Sequence, residues 1–327
     1  MKQALDVNYT NGVIAVKEKK LLNEKIFRLC ECSAEEAFRV LLDSGYGGGA
    51  ETATSVYDFE KLIEVEEKNL DAFVHEYAPS ETLRVFLLSP RDFHNAKAII
   101  KAVYLGVDVK KMLAPQGDFS IEWLLERIEN GEYDQIKEKN SFLGEACSSA
   151  TELLQDDPSG AKLGAIFEEK LYLYLWSICK RNRLLRDLLI KKADMTNILI
   201  AFRCKDENEA KGKYLPIGKL SCSQLKNLFS EDVEKVQGAF QQTPYAEFVK
   251  LCIDAKRQGL PMMEAEKIRD GYEAVYFSER KYELKKTEPF LYYVYRRRME
   301  NTNVRIVFVC LLAGQKEQDV KKRLRAW

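Results

Sequence analysis

Apolar residues recur three and four positions apart along most of the chain, which is the spacing of an amphipathic α-helix. The stretch 56–77 shows it clearly, with an apolar stripe of Leu62, Val65, Leu70, Phe73 and Val74. The alternation of apolar and polar residues that marks a half-buried strand is lacking. Even the most strand-like run, 304–312, is expected to be helical because its two sister segments are. The pattern therefore predicts an all-α protein.

Short sequence signals predict where some of the helices begin and end. Ser33-Ala-Glu-Glu36 predicts a capping box that opens a helix ending near Asp43. Gly314 predicts the end of the penultimate helix. Residues 1–17 are expected to form an extended leader, and 18–30 a single helix. A long helix is expected over 162–181, after a linker at 156–160. A polar loop is expected over 206–213.

One motif occurs three times: an acidic residue, two variable positions, an Asn, and then an apolar run. Its copies are Asp92 with Asn95, Asp194 with Asn197, and Glu300 with Asn303. The acidic positions lie 102 and 106 residues apart in a chain of 327 residues. This period predicts three repeated helical units, 1–117, 118–218 and 219–327, packed as pseudo-threefold bundles.

We interpret each copy as a helix start. An acidic N-cap accepts a hydrogen bond from an orphaned main-chain N–H, and Asn at N3 can bond back to the cap residue. The alternative, a functional carboxylate cluster, is less favoured because capping explains all three copies locally. Arg203 and Arg305 follow in the second and third copies, and Arg305 is nearly the only polar residue of 304–313, so that helix is expected to be central.

A second pattern repeats at almost the same offset. Pro115-Gln-Gly-Asp-Phe-Ser120 corresponds to Pro216-Ile-Gly-Lys-Leu-Ser221 at a distance of 101 residues. Tyr46 and Tyr245 end two similar short segments 199 residues apart, close to two periods. Several matches in nearly one register indicate true internal repetition.

Composition narrows the function classes. Lys and Arg together number 51, and so do Asp and Glu, so the chain lacks the basic surplus typical of nucleic-acid binding. No apolar run approaches the length that spans a bilayer, and the N-terminus lacks the apolar segment of a signal peptide. We therefore expect a cytosolic protein that binds no nucleic acid.

Few residues of the sequence suggest a metal-binding, phosphate-binding or catalytic site. The eight cysteines form no Cys-x-x-Cys pair, and Cys30-Glu-Cys32 alone is a weak metal signal. With only two histidines, a site of three histidine ligands is excluded. The segment Gly45–Gly49 lacks the Gly-Lys-Ser/Thr of a phosphate-binding loop and is interpreted as a turn. We expect no catalytic activity, no metal and no cofactor.

The order and spacing of these motifs resemble the C-type subunit of V/A-type rotary ATPases, a relative of the d-type subunit of eukaryotic V-ATPases. The resemblance is carried by Asp92-xx-Asn95-Ala-Lys, by Asp194-xx-Asn197 with Arg203, by Asn303-Val-Arg305-Ile with Gly314-xx-Glu317-xx-Val320-xx-Arg323-Leu324, and by the segments ending at Tyr46 and Tyr245. It covers the whole chain. It implies a funnel of three pseudo-equivalent helical bundles.

The resemblance also implies a non-enzymatic role in ATP-driven ion transport or ATP synthesis. One copy per complex would stand on the cytoplasmic face of the proteolipid rotor ring and receive the tip of the central-stalk shaft, formed by D- and F-type subunits. Membrane contact would be made only through the ring. A helical scaffold or adaptor with unrelated partners remains the alternative, and an enzyme built on tyrosine and aspartate side chains is a third.

Overall fold

The computed structural model describes residues 6–49, 53–156, 159–283 and 286–325, and this part of the chain contains helices and no strand. The predicted all-α class is confirmed. The α-helices are α1 Val7–Lys17, α2 Lys25–Cys30, α3 Ala34–Asp43, α4 Phe59–Tyr77, α5 Glu81–Leu105, α6 Ile121–Glu129, α7 Tyr133–Lys139, α8 Ser141–Asp156, α9 Gly160–Ile178, α10 Arg183–Arg203, α11 Glu207–Lys211, α12 Cys222–Asn227, α13 Val233–Phe240, α14 Ala246–Arg257, α15 Met263–Ser278, α16 Glu288–Leu312 and α17 Glu317–Arg323. Within the described ranges, no helix is long and apolar enough to cross a membrane.

Two of the predicted helix boundaries are confirmed by their capping geometry. The Ser33 hydroxyl accepts the Glu36 N–H, and the Glu36 carboxylate accepts the Ser33 N–H, so α3 opens with a capping box. At the end of α16, Gly314 adopts a φ of 69°. A residue with a β-carbon rarely adopts this left-handed conformation, and glycine is the usual solution after a helix C-terminus.

The expectations for the N-terminal region are wrong in two places. Residues 7–17 are not extended but form α1, whose N-cap Asp6 accepts a hydrogen bond from the Asn8 N–H. Residues 18–30 are not one helix, because an extended Leu21 and a left-handed Asn23 (φ 48°) separate a short 3-10 turn from α2. The sequence pattern could not show this interruption, since its cause is a distant contact described below.

In the rest of the chain, the predicted and observed helix boundaries differ little. The helix predicted over 162–181 is α9, displaced by about half a turn at each end. The polar segment 206–213, expected to be a loop, contains the short helix α11, which Asp206 caps. Residues 157 and 158 of the predicted linker lie outside the described residues.

The chain divides into two compact units. Unit 1 comprises residues 1–84 and 266–327, and unit 2 comprises residues 85–265. The three units expected from the repeat period remain a prediction.

The core of unit 1 forms where α2, α3, α4 and α17 pack around the last part of α16. Phe308 lies at its centre, fully buried. Its ring stacks on Phe59 with centroids 5.2 Å apart and meets Phe38 edge-on at 6.3 Å. Aromatic pairs in these arrangements stabilise a core beyond the area they bury. The prediction that the 304–313 helix is central holds for this unit.

The main core of unit 2 joins α5, α6, α7, α8 and α9. Its fully buried members come from several of these helices: Ala96, Ile99, Leu124, Ile136, Leu143, Ala146, Cys147 and Ala150. Several are alanines, which allow the helix axes to approach closely.

Truncating Phe308 to alanine should reduce the free energy of unfolding by about 3–5 kcal/mol, because it leaves a cavity among rings that cannot collapse around it. Urea unfolding followed by circular dichroism measures this change. The neighbouring Val309 is 54 % exposed, so Val309→Ala is the matched control and should change stability by less than about 0.5 kcal/mol. Equal effects of the two substitutions would contradict the proposed core.

Candidate functional site

The three acidic-xx-Asn motifs do not start helices. Asp92 lies well inside α5, Asp194 inside α10 and Glu300 inside α16, and all three side chains are at most 4 % exposed. The interpretation as N-caps is therefore wrong. In each case the apolar helical pattern continues upstream of the acidic residue, so the helix has already begun. The buried polar side chains bind the main chain of another segment instead.

In the first copy, this segment is the loop before α6. The Asp92 carboxylate accepts hydrogen bonds from the N–H groups of Asp118 (3.0 Å) and Phe119 (3.1 Å). One turn along the same helix face, Asn95 Oδ1 accepts the N–H of Ala114 at 2.8 Å. We call this contact junction 1. It holds the loop of residues 113–120 against α5.

Junction 2 repeats this arrangement in the loop before α12. The Asp194 carboxylate accepts the N–H groups of Lys219 (2.8 Å) and Leu220 (3.1 Å). Asn197 satisfies both main-chain groups of Leu215, because it accepts the N–H at 2.8 Å and donates to the carbonyl at 3.0 Å. In both junctions, the loop residues that bind the Asp and Asn side chains lie nearly the same number of positions after them in the sequence.

Junction 3 binds two segments that lie far apart in the sequence, at Leu22 and at Arg325. Glu300 accepts the N–H of Leu22 at 2.6 Å, while Asn303 accepts the N–H of Arg325 at 2.7 Å and donates to its carbonyl at 3.0 Å. The bond to Glu300 explains why the predicted helix over 18–30 is interrupted, since Leu22 must present a free N–H. Segments near both ends of the chain are thus fastened to one turn of α16.

The two tyrosines of the sequence motif lie at junctions 2 and 3. The Tyr245 hydroxyl donates to the Asp194 carboxylate at 2.7 Å. The Tyr46 hydroxyl donates to Oδ1 of Asn301, the residue that follows Glu300, also at 2.7 Å. Burial raises the pKa of Tyr46 well above its usual value, so the hydroxyl keeps its proton and remains a donor.

Two glycines make room for the carboxylates. A β-carbon on Gly117 would lie 2.3 Å from Asp92 Oδ1, and one on Gly218 would lie 2.4 Å from Asp194 Oδ1. Both distances are far inside van der Waals contact. This close approach is the physical reason for the repeated Pro-x-Gly, and its offset of 101 residues beside the 102 of the acidic motif is the signal that links the two elements.

The two arginines of the motif lie apart from the junction contacts. Arg203 is exposed at the end of α10. Arg305 projects toward α4, where Nε lies 2.9 Å and Nη2 3.0 Å from the two carboxylate oxygens of Glu60, and Nη2 lies 3.6 Å from Glu67. The ion pairs of Arg305 are partly exposed, and such pairs stabilise a fold only weakly. Both arginines belong to the sequence pattern that carries the family resemblance.

Burial shifts the pKa of two junction carboxyl groups, those of Asp92 and Glu300. Desolvation raises the pKa of Asp92 from 3.8 to about 7, although the two N–H groups that it accepts counteract this. Desolvation also raises the pKa of Glu300, and the neighbouring Arg297 opposes the shift. The effect of burial is strong, but the oxygens of all three carboxyl groups already bind the protein itself. The arrangement fastens segments to helices and leaves none of these three carboxyl groups directed at a ligand.

The N-cap interpretation left the true partners of all three copies unassigned. The partner of Glu300, Leu22, leaves no signal in the sequence because the two residues lie 278 positions apart. Among the described residues, no group of three or more His, Cys, Asp and Glu side chains is placed to hold a metal ion. The expected lack of metal, cofactor and catalysis stays a prediction.

A comparison with family models identifies the family to which the chain belongs. Residues 10–323 match the model of the ATP synthase (C/AC39) subunit, which covers all three junction motifs. The chain belongs to this family of V/A-type ATPase subunits and is a subunit of a rotary ATPase. The comparison with curated proteins found no match.

Substituting alanine for Gly117 or Gly218 should destabilise the protein by about 1–3 kcal/mol, because the new methyl group displaces a junction carboxylate. Thermal unfolding measures the loss. Gly164→Ala in α9 is the matched control: its β-carbon would meet nothing within 4 Å, and replacing a helical glycine should stabilise the protein by up to about 1 kcal/mol. Equal melting temperatures of the three variants would contradict the junction geometry.

The stability of the protein should also depend on pH through Asp92. Because its folded pKa of about 7 lies above 3.8, the folded protein retains a proton that the unfolded chain releases between these values. The free energy of unfolding therefore falls as pH rises through this window, with a slope of up to about 1.4 kcal/mol per pH unit. Asp92→Asn cannot titrate and should show a shallower fall when denaturant unfolding is measured across this pH range. Identical slopes in the two proteins would refute this assignment.

Proposed function

We propose that this chain is the non-catalytic subunit that couples the membrane rotor ring of a rotary ATPase to its central shaft. The observation that carries the proposal is the family match over residues 10–323. In the proposed arrangement, one copy per complex stands on the cytoplasmic face of the proteolipid ring and binds the shaft formed by D- and F-type subunits. Its contact with the membrane is made through the ring alone.

The internal construction supports a mechanical role. A coupling subunit must transmit torque without deforming. The long helices α5, α10 and α16 each hold another segment through hydrogen bonds from main-chain N–H groups to buried side chains. Removing one partner of such a bond leaves a buried polar group unsatisfied, which costs more than the bond itself contributes. The junctions therefore resist partial opening under load.

The attachment of both chain ends supports the same role. Terminal segments are usually the first parts of a protein to fray. Here Leu22 and Arg325 are bound three residues apart on α16, so neither segment can detach without exposing Glu300 or Asn303. The three-unit division 1–117, 118–218 and 219–327 remains part of the proposal, since equivalent units suit a body that stands coaxially on a ring.

Removing this subunit from the assembled complex tests the coupling role. ATP hydrolysis by the soluble head should continue, because the catalytic sites lie in other subunits. Ion pumping driven by that hydrolysis should stop, and adding back the purified chain should restore it. Hydrolysis and ion transport are measured on the same reconstituted vesicles. Normal pumping without the subunit would refute the proposal.

A further inference from the structure

Three basic side chains line one cavity of unit 1. The cavity has a volume of about 400 Å³ and is bounded by α1, α4, α16 and the glycine-rich segment after α3. Lys17 and Lys20 come from the end of α1 and the 3-10 turn that follows it, and Arg297 comes from α16. Cavities of this size hold small-molecule ligands in many proteins. Three cations around one cavity favour a ligand of negative charge.

Arg297 is the buried member of this set, and it is only 4 % exposed. Its Nη1 is paired with Glu300 and lies 3.6 Å from Glu66, and its Nη2 donates to the carbonyl of Lys20 at 3.3 Å. Tyr293 interacts with the guanidinium as well. The Nε–H group, however, has no hydrogen-bond partner among the described residues. A buried donor without an acceptor is unfavourable, so a ligand oxygen that accepts this N–H group would stabilise the site.

The two lysines remain available to a ligand. Neither Lys17 nor Lys20 forms an ion pair with a carboxylate in the part of the chain that the structure describes. The Lys17 Nζ lies over the Phe73 ring, 5.3 Å from its centroid, and Phe73 lines the same cavity. This cation–π contact holds the ammonium group at the cavity without neutralising its charge.

Two carboxylates also line the cavity, and they restrict the kind of anion that can bind. Glu66 is already engaged, because it accepts the N–H of Gly47 at 2.9 Å and lies 3.6 Å from Arg297 Nη1. Glu76 is exposed to solvent, which screens its charge. A singly charged anion would gain little against these two groups. A ligand with several negative charges can interact with all three cations at once.

The glycine-rich segment leaves space for such a ligand. Gly45 and Gly48 line the cavity with φ angles of 75° and 66°, and a β-carbon on either would meet nothing within 4 Å. The Gly48 N–H is bonded to the carbonyl of Gly45 at 3.2 Å. The basic side chains, and not the glycine main chain, are therefore the groups that would bind an anion here. This differs from a phosphate-binding loop, whose main-chain N–H groups hold the phosphate.

We propose that this cavity binds a small molecule that carries a diphosphate or longer polyphosphate group. Such a group places several charged oxygens within reach of separate cations. Arginine binds phosphate oxygens through a planar set of N–H donors, and lysine acts as a point charge. The bound group would link the end of α1 to Arg297, the residue that pairs with Glu300 of junction 3. This site goes beyond the coupling role and does not depend on it.

Isothermal titration of pyrophosphate into the purified chain at low ionic strength tests the proposal. The unchanged chain should bind, and Lys17→Gln and Lys20→Gln should each weaken binding about two- to fivefold, as expected when one partly exposed charge pair is lost. The double variant should bind about tenfold more weakly. Lys19→Gln is the matched control, because Lys19 lies in the same turn and is exposed but does not line the cavity. It should bind as the unchanged chain does.

Thermal unfolding gives a second measurement. Pyrophosphate should raise the melting temperature of the unchanged chain and of Lys19→Gln, because a ligand that binds only the folded state stabilises it. The increase should be smaller for the double variant. Without pyrophosphate, all these proteins should melt at the same temperature, since none of the three lysines is buried. Weaker binding would then not be a consequence of unfolding.

Titrations with tripolyphosphate and ADP complete the test. Tighter binding of ADP than of pyrophosphate would identify the ligand as a nucleotide, and equal binding would show that the phosphate groups suffice; both results uphold the site. Failure of all three compounds to bind at millimolar concentration would overturn the proposal. Equal weakening by all three lysine substitutions would show non-specific attraction, and equal binding by all variants would place the anion elsewhere. Each of these two results also overturns it, and none bears on the coupling role.

Discussion

The structure depends on one interaction: a buried carboxyl group and a buried Asn amide on one helix face bind the main chain of a segment that returns to that helix. Residues three positions apart lie side by side on a helix, so the two groups act together. The amide is well suited because it offers a donor and an acceptor at once, as Asn197 shows with Leu215. Burying a carboxyl group is unfavourable unless it is hydrogen-bonded, and the two N–H groups at Asp92 and at Asp194 provide this compensation.

Junction 3 uses the same interaction to attach two segments that are distant in sequence to one helix, α16. In junctions 1 and 2 the bound segment follows its helix along the chain. In junction 3 the bound segments come from both directions, since Glu300 binds Leu22 from the beginning of the chain and Asn303 binds Arg325 from its end. The stability of unit 1 is thereby linked to both terminal regions. Segments near both ends of the described chain, where local unfolding often begins, are therefore restrained by hydrogen bonds to α16.

The sequence by itself determined the helical class, the capping box of α3, the glycine after α16 and the repetition of the acidic-xx-Asn and Pro-x-Gly elements, because each follows from local spacing or local backbone preference. It also supported the family resemblance through the order of these motifs. Tertiary structure alone decided what the motifs do. The apolar pattern upstream of each acidic residue argues against an N-cap, but it does not show which segment the carboxyl group binds. The position of Gly117 against Asp92 shows this for the first copy. The bond between Glu300 and Leu22 was likewise invisible in the sequence, because the two residues lie 278 positions apart and a single long-range contact leaves no periodic signal.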